Sequence, residues 1–156
     1  MDSQFTIVIA DDHPLFRGAL YQAVHMAIDE ARLLEADSID SLTHLLAEHP
    51  EVDLLLLDLK MPGANGFEGL AYLRGQYPDL PIVVVSASED AAIIQQVLRL
   101  GALGFIPKSV PMKELVNALN TVIGGDNWVP EGISLHPESE DGPDFASKLA
   151  DRKSVV

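Results

Sequence analysis

Two adjacent carboxylates, Asp11 and Asp12, close the apolar run "FTIVIA" at residues 5–10. Like charges ~5 Å apart repel by roughly 3 kcal/mol at an effective dielectric near 20, so the pair needs something positive beside it. Other polar residues stand in the same relation to an apolar run. Asp58 directly follows "LLLL" at 54–57, Ser86 follows "IVVV" at 82–85, and Lys108 comes just after "GFI" at 104–106. Three carboxylates offering only oxygen suit a hard divalent cation, most naturally Mg²⁺. Asp58 is placed to attack phosphorus and form an acyl phosphate. Phosphoryl transfer depends mostly on positioning and on neutralising the equatorial oxygens, and the cation, the Lys108 ammonium and the Ser86 hydroxyl can each take one.

Short buried strands must deliver these residues to one place. The spacing predicts strands at Phe5–Ala10, Ala31–Ala36, Asp53–Leu57, Pro81–Val85 and Gly104–Ile106. The continuous runs at 54–57 and 82–85 imply burial on both faces, as in a parallel sheet. Helical patterns lie between them. Pro14–Ile28 opens with a proline suited to the first helical position, and Ser38–His49 has Ser38 as its N-cap. Gly66–Gln76 and Asp90–Leu100 follow, the latter closed by Gly101 as a C′ glycine. In Met112–Ile123, Met112, Leu115, Leu119 and Val122 form one apolar stripe, ended by the Gly124-Gly125 pair. The pattern is (βα)₅, a doubly wound five-stranded parallel sheet. Ligands of such sheets bind beyond the carboxyl ends of the strands, where all the polar residues named above fall.

The chain has 156 residues, enough for one domain and an appendage. Its net charge is -14, of which -10 falls on residues 1–125 and -4 on residues 126–156. So acidic a chain is repelled by phosphate backbones and makes a poor nucleic-acid binder by itself. It contains no cysteine, hence no disulfide framework and no thiolate zinc site. No apolar run approaches the roughly 18 residues of a membrane span, and "MDSQFT" is not a signal peptide; a cytoplasmic location is expected. Residues 126–144, with three prolines among Gly, Ser and acidic residues, read as a linker. "FASKLADRKSVV" at the end is too short to be a domain.

As a set, the acidic pair, Asp58 followed by "LKMPGANG", Ser86 followed by Ala87, and Lys108 resemble the receiver domain of two-component response regulators, over about residues 5–124. "DDHPLFRGAL" and "GALGFIPKS" are similar to the NarL/LuxR-type subfamily. The resemblance implies a flavodoxin-like sheet of strand order 2-1-3-4-5 and a receiver over 1–125. It further implies that Asp58 accepts a phosphoryl group from a sensor histidine kinase with Mg²⁺ (or Mn²⁺). Asp12 is then the direct metal ligand and Asp11 largely a water-mediated one. Asp58 and the Lys60 backbone carbonyl complete the metal site. Lys108 contacts the phosphoryl group, Ser86 moves to hydrogen-bond it, and the Phe105 rotamer responds. The fourth helix, fifth strand and fifth helix form the usual output face. Phosphorylation is expected to shift a monomer–homodimer equilibrium. DNA is reached only through a C-terminal helix-turn-helix of roughly 60 residues, expected to be absent from 126–156, as in a receiver separated from its output domain. Such a chain takes part in its own phosphorylation and dephosphorylation without being an enzyme.

Several positions depart from the family pattern or carry a plainer reading. Ser86 stands where Thr is commoner, and Phe105 where Tyr is frequent. The family often has Pro after the Lys with a cis bond, whereas here Pro107 precedes Lys108. A cis Lys108–Ser109 bond would cost ~3 kcal/mol, so this loop is open to another geometry. Lys60 and Ser88, two positions beyond Asp58 and Ser86, match positions that tune phosphate lifetime in the family; equally they are solvated loop residues. His13 is read as a helix-start residue before Pro14 in preference to a metal ligand. His25, His44, His49 and His136 have no acidic partner at ligand spacing. Trp128 is expected to pack back on the domain with Val129. Two alternatives stand beside the leading one. An aspartyl-nucleophile phosphohydrolase of the haloacid-dehalogenase kind needs a second Asp two residues after the first, where this chain has Lys60. A stand-alone or degenerate receiver would act by docking protein partners alone.

Overall fold

Leu54–Asp58 and Ile82–Ser86 are buried at every position, and strands with no solvated row must be covered on both faces. The computed structural model describes residues 5–132. Its elements alternate as β1 (Phe5–Ala10), α1 (Pro14–Ala27), β2 (Ala31–Ala36), α2 (Ile39–Glu48), β3 (Leu54–Asp58), α3 (Phe67–Gln76), β4 (Ile82–Ser86), α4 (Ala91–Arg99), β5 (Gly104–Pro107) and α5 (Met112–Ile123). All pairings are parallel, and the strand order is β2-β1-β3-β4-β5. This is the doubly wound, flavodoxin-like (βα)₅ sheet expected from the sequence.

The period-2 alternation of side chains divides the interior into two cores. Ile7, Ile9, Leu54, Leu56, Val83, Val85 and Ile106 point to the side of α1 and α5. Val8, Ala10, Leu55, Leu57, Ile82, Val84 and Phe105 point to the side of α2, α3 and α4. Each fully buried Leu, Ile, Val or Phe contributes about 1.5–3 kcal/mol relative to exposure. The sheet is therefore the stable platform on which the strand ends are held.

Element ends follow local chemistry. Ser38 caps α2, accepting the Ser41 N–H at 3.0 Å, while the Ser41 hydroxyl accepts the Ser38 N–H at 3.2 Å. Asp90, expected as the first residue of its helix, is instead its N-cap and accepts the Ala92 N–H at 2.9 Å. Two strands run one residue later than their apolar runs, so that Asp58 and Ser86 lie inside the sheet. Asp53, expected to open β3, uses its carboxylate to accept the Thr6 N–H at 2.8 Å.

Residues 127–129, after α5, stay on the domain. Asn127 and Trp128 run along the outer edge of β5. The Phe105 N–H donates to the Trp128 carbonyl at 3.1 Å and the Trp128 N–H to the Leu103 carbonyl at 3.2 Å. The Asn127 side-chain amide donates to the same Leu103 carbonyl at 2.8 Å. Trp128 packs on the α1/α5-side core and Val129 on the opposite one, as the sequence suggested. The stretch read as a linker from residue 126 thus begins with a docked piece of edge. The rest of that stretch, His136 and the "FASKLADRKSVV" end lie outside the described residues. Among the described residues, no helix is long and apolar enough to cross a membrane.

Gly104 makes the docking possible, because a Cβ there would meet the Trp128 carbonyl oxygen at 2.6 Å. A Gly104→Ala substitution is expected to push the 127–129 segment off β5 and to cost about 2 kcal/mol, the scale of an overpacked site. Trp128 is the one tryptophan of the chain, so its emission should shift to the red while thermal stability falls. Unchanged emission and melting would contradict the docking.

Candidate functional site

The sheet register decides which polar residues meet. Ala10 is opposite Leu57 and Asp58 is opposite Val85, so Asp11, one step past Ala10, comes beside Asp58. The Asp11 N–H continues the ladder to the Ala36 carbonyl at 3.0 Å. Ser86 is opposite Pro107, and the Lys108 N–H extends that pairing to the Ser86 carbonyl at 2.7 Å. Asp11, Asp58 and Lys108 each follow by two positions a residue of the α1/α5-side core: Ile9, Leu56 and Ile106. All three side chains therefore share one row of the sheet. Ser86 follows Val84, and with Phe105 it belongs to the opposite row.

The Lys108 ammonium joins the two carboxylates. Its Nζ is 3.0 Å from Asp58 Oδ2 and 3.1 Å from Asp11 Oδ2, and 3.3 Å from Asp11 Oδ1. Asp58 is 2 % exposed, and its Oδ1 accepts the Lys60 N–H at 3.0 Å. Asp11 is wholly buried, and its Oδ1 accepts the His13 N–H at 2.7 Å. Asp11 Oδ2 stands at ion-pair distance from Lys108 without hydrogen-bond geometry, and this buried oxygen has no hydrogen-bond partner. Burial pushes the Asp11 carboxyl above its ordinary range. The His13 N–H and Lys108 oppose that rise, and the neighbouring Asp58 adds to it.

Asp12, expected as the direct metal ligand, is exposed, whereas Asp11 is the buried neighbour of Asp58. The oxygens of Asp11 and Asp58 and a ring nitrogen of His13 lie within 4.8 Å of one another, a grouping able to hold a metal ion. His13 stands at the N-cap of α1, as read from the sequence, but its side chain makes no capping bond. Its Nδ1 lies 3.1 Å from Lys108 Nζ. The Phe16 ring lies beneath the same ammonium, 5.1 Å from centroid to Nζ; the sequence reading did not single out Phe16. Strand parity could have separated Asp11 from Asp12, since Asp11 extends the row of Ile7 and Ile9. The His13 and Phe16 contacts depend on how α1 is set against β5, which no local pattern records.

On the other row, the Ser86 hydroxyl accepts the Ser88 N–H at 3.1 Å. Lys60, Ser86 and Ser88 line a cavity of about 670 Å³ together with Leu59, Met61 and Ile93. Phe105 is fully buried under the sheet. The Lys108–Ser109 loop is trans, with no cis peptide bond among the described residues. The Val110 N–H closes the turn on the Pro107 carbonyl at 3.2 Å, and the Ser109 hydroxyl donates to Glu89. His49, read as having no acidic partner at ligand spacing, meets Glu51, two residues on, at 3.0 Å.

A buried carboxylate pair and one lysine at the carboxyl edge of a 2-1-3-4-5 parallel sheet are the features of a receiver. Residues 7–120 match the Response regulator receiver domain family, to which the chain belongs. The chain is 39 % identical over 129 residues to the glycerol metabolism activator of Pseudomonas putida, covering 83 % of this chain and 58 % of that protein. It is 36 % identical over 129 residues to the nitrate/nitrite response regulator NarL of Escherichia coli K12, covering 83 % and 59 %. The isolated receiver of RcsB from Salmonella enterica serovar Typhimurium, solved in the presence of the phosphomimetic BeF₃⁻, superposes with a TM-score of 0.75 at 26 % identity, over 83 % of this chain and 95 % of that one. The chain thus spans little more than half the length of the two full-length relatives.

Asp11 generates a stability prediction. A carboxyl whose pKa is raised by folding binds its proton more tightly in the native state, so its ionisation destabilises the fold. That penalty is absent below the unfolded value near 3.8 and complete once the pH passes the higher native value. Asp11→Asn is expected to melt at a higher temperature than the parent at neutral pH, with the gain shrinking toward pH 4. Equal melting curves at neutral pH would show that the Lys108 pairing fully compensates the burial.

Proposed function

We propose that the chain is a phosphoacceptor whose Asp58 takes a phosphoryl group from a sensor histidine kinase. The observation that carries this reading is Asp58 itself: a nearly buried carboxylate at the end of the central strand, beside a second buried carboxylate and 3.0 Å from the Lys108 ammonium. A carboxylate oxygen of Asp58 attacks the phosphorus of a phosphohistidine. The new O–P bond forms as the P–N bond breaks, and imidazole leaves with the electron pair. Lys108 neutralises an oxygen of the transferred group, and the Ser86 hydroxyl, on the cavity side, supplies a hydrogen bond to another. Phe105, fully buried on the same row as Ser86, is the side chain whose rotamer follows.

The orphaned Oδ2 of buried Asp11 and an oxygen-rich donor set fit a hard divalent cation, Mg²⁺ or Mn²⁺. Asp11, Asp12, Asp58 and the Lys60 carbonyl would hold it. When bound, such an ion supplies charge neutralisation at the phosphoryl oxygens. Lys60 and Ser88, which line the cavity, tune how readily water reaches the acyl phosphate. The domain over 1–125 has no external substrate to turn over and is no enzyme in that sense. The regulatory names of its relatives agree with a response regulator; a cytoplasmic location, a DNA-binding helix-turn-helix output and dimerisation on phosphorylation belong to the same proposal.

Incubation with Mg²⁺ and acetyl phosphate is expected to give a hydroxylamine-labile adduct on the wild-type chain and none on Asp58→Asn. Beryllofluoride with Mg²⁺ should shift the sedimenting species toward a dimer in the wild type alone. An adduct that persists in Asp58→Asn, or that never forms on the parent, would sink the assignment.

A further inference from the structure

Lys108 has two kinds of neighbour, and only one of them is carboxylate. Beside Asp11 and Asp58, the start of α1 supplies the His13 Nδ1 at 3.1 Å and the Phe16 ring at 5.1 Å from Nζ. Lysine is a point charge on a flexible four-carbon stem, and nothing in its own geometry directs it into a wedge between two acids. A ring face attracts an ammonium through its quadrupole. A neutral imidazole with its proton on Nε2 offers Nδ1 as a hydrogen-bond acceptor. His13 and Phe16 are the N-cap and third residue of α1, so both belong to one turn. Part of that turn is fixed independently of these side chains: the His13 N–H binds Asp11, and Arg17 Nη1 donates to the Asp11 carbonyl at 3.0 Å.

We propose that His13 and Phe16 are positioning residues for Lys108, holding its ammonium between Asp11 and Asp58 and thereby setting how tightly the site retains a phosphoryl group or its analogue. The proposal rests on the reading of Asp58 as the phosphoacceptor. Phe16 also packs on the α1/α5-side core, so the variants must separate packing from the ammonium contact. Phe16→Leu keeps an apolar side chain and removes the ring face, while Phe16→Trp restores a ring. His13→Ala removes the acceptor, and His13→Asn returns one near the place of Nδ1.

The test is beryllofluoride affinity in Mg²⁺, measured for these four variants in the wild-type background and again in Lys108→Met. Phe16→Leu and His13→Ala should each weaken binding about threefold, the lower end of an ammonium–ring contact, with Phe16→Trp and His13→Asn recovering most of it. In the Lys108→Met background all four should coincide, because residues acting through one partner are not additive. Equal losses in both backgrounds would overturn the proposal. A second readout needs no phosphoryl analogue. The ε-methylene protons of Lys108 should show an aromatic ring-current shift in the proton NMR spectrum that vanishes in Phe16→Leu while the backbone spectrum is kept; a shift unaltered by Phe16→Leu also overturns it. If the parent chain binds no beryllofluoride, the phosphoacceptor reading fails while the NMR result still decides the positioning of Lys108.

Discussion

Asp11 and Asp58 are drawn out of water side by side, and the single ammonium of Lys108 does not cancel them. Removing an ion from water costs several kcal/mol even after relaxation, and one cation shared by two anions leaves an excess of negative charge. The raised Asp11 carboxyl and its unpartnered oxygen are two expressions of the same imbalance. The rest of the sheet makes the arrangement tolerable. β3 and β4 are apolar at every position before their last residue, so the stabilisation is concentrated in the strands and the strain at their ends. A domain built this way is stable in spite of its site, and the unsatisfied charge sits in a grouping able to hold a metal ion.

The sheet also separates two tasks by side-chain parity. Asp11, Asp58 and Lys108 lie on the row facing α1 and α5, while Ser86 and Phe105 lie on the row facing α2, α3 and α4. The bond from the Lys108 N–H to the Ser86 carbonyl is main chain to main chain, so the two rows meet at a point where side-chain identity is irrelevant. Ser for Thr and Phe for Tyr are therefore local changes on the second row that leave the charged row intact. Lys60 argues likewise against the phosphohydrolase alternative: its N–H, not a second carboxylate, faces Asp58.

Much of this was legible in the residues. Buried runs of four announced β3 and β4, the 3-4-3 spacing of apolar residues set α5 to the residue, and Ser38 marked the start of α2. The errors of one residue at β3 and β4 arose because hydrophobicity ends before hydrogen bonding does: Asp58 and Ser86 are polar yet still in the ladder. The inward turn of Asp11 was available from parity but was masked by the symmetry of the Asp-Asp pair. The contacts of His13 and Phe16 with Lys108 span more than ninety residues of sequence, and their existence depends on how α1 is set against the end of β5, a tertiary fact. The docking of Trp128 was suggested by its bulk, but the edge pairing that accompanies it required knowing that β5 ends the sheet.

That pairing gives the molecule a definite load path. Tension applied to the chain beyond residue 132 meets the hydrogen bonds at Leu103 and Phe105 before it reaches α5. Those bonds belong to the same strand that carries Phe105 inward and leads to Lys108. The pull is taken by β5, the element connected to the charged site, and the helix beside it is shielded. In the reverse direction, a displacement of β5 is passed to the backbone of Trp128 through the same bonds. Trp128 thus couples the backbone just before residue 132 to the edge strand that leads to Lys108.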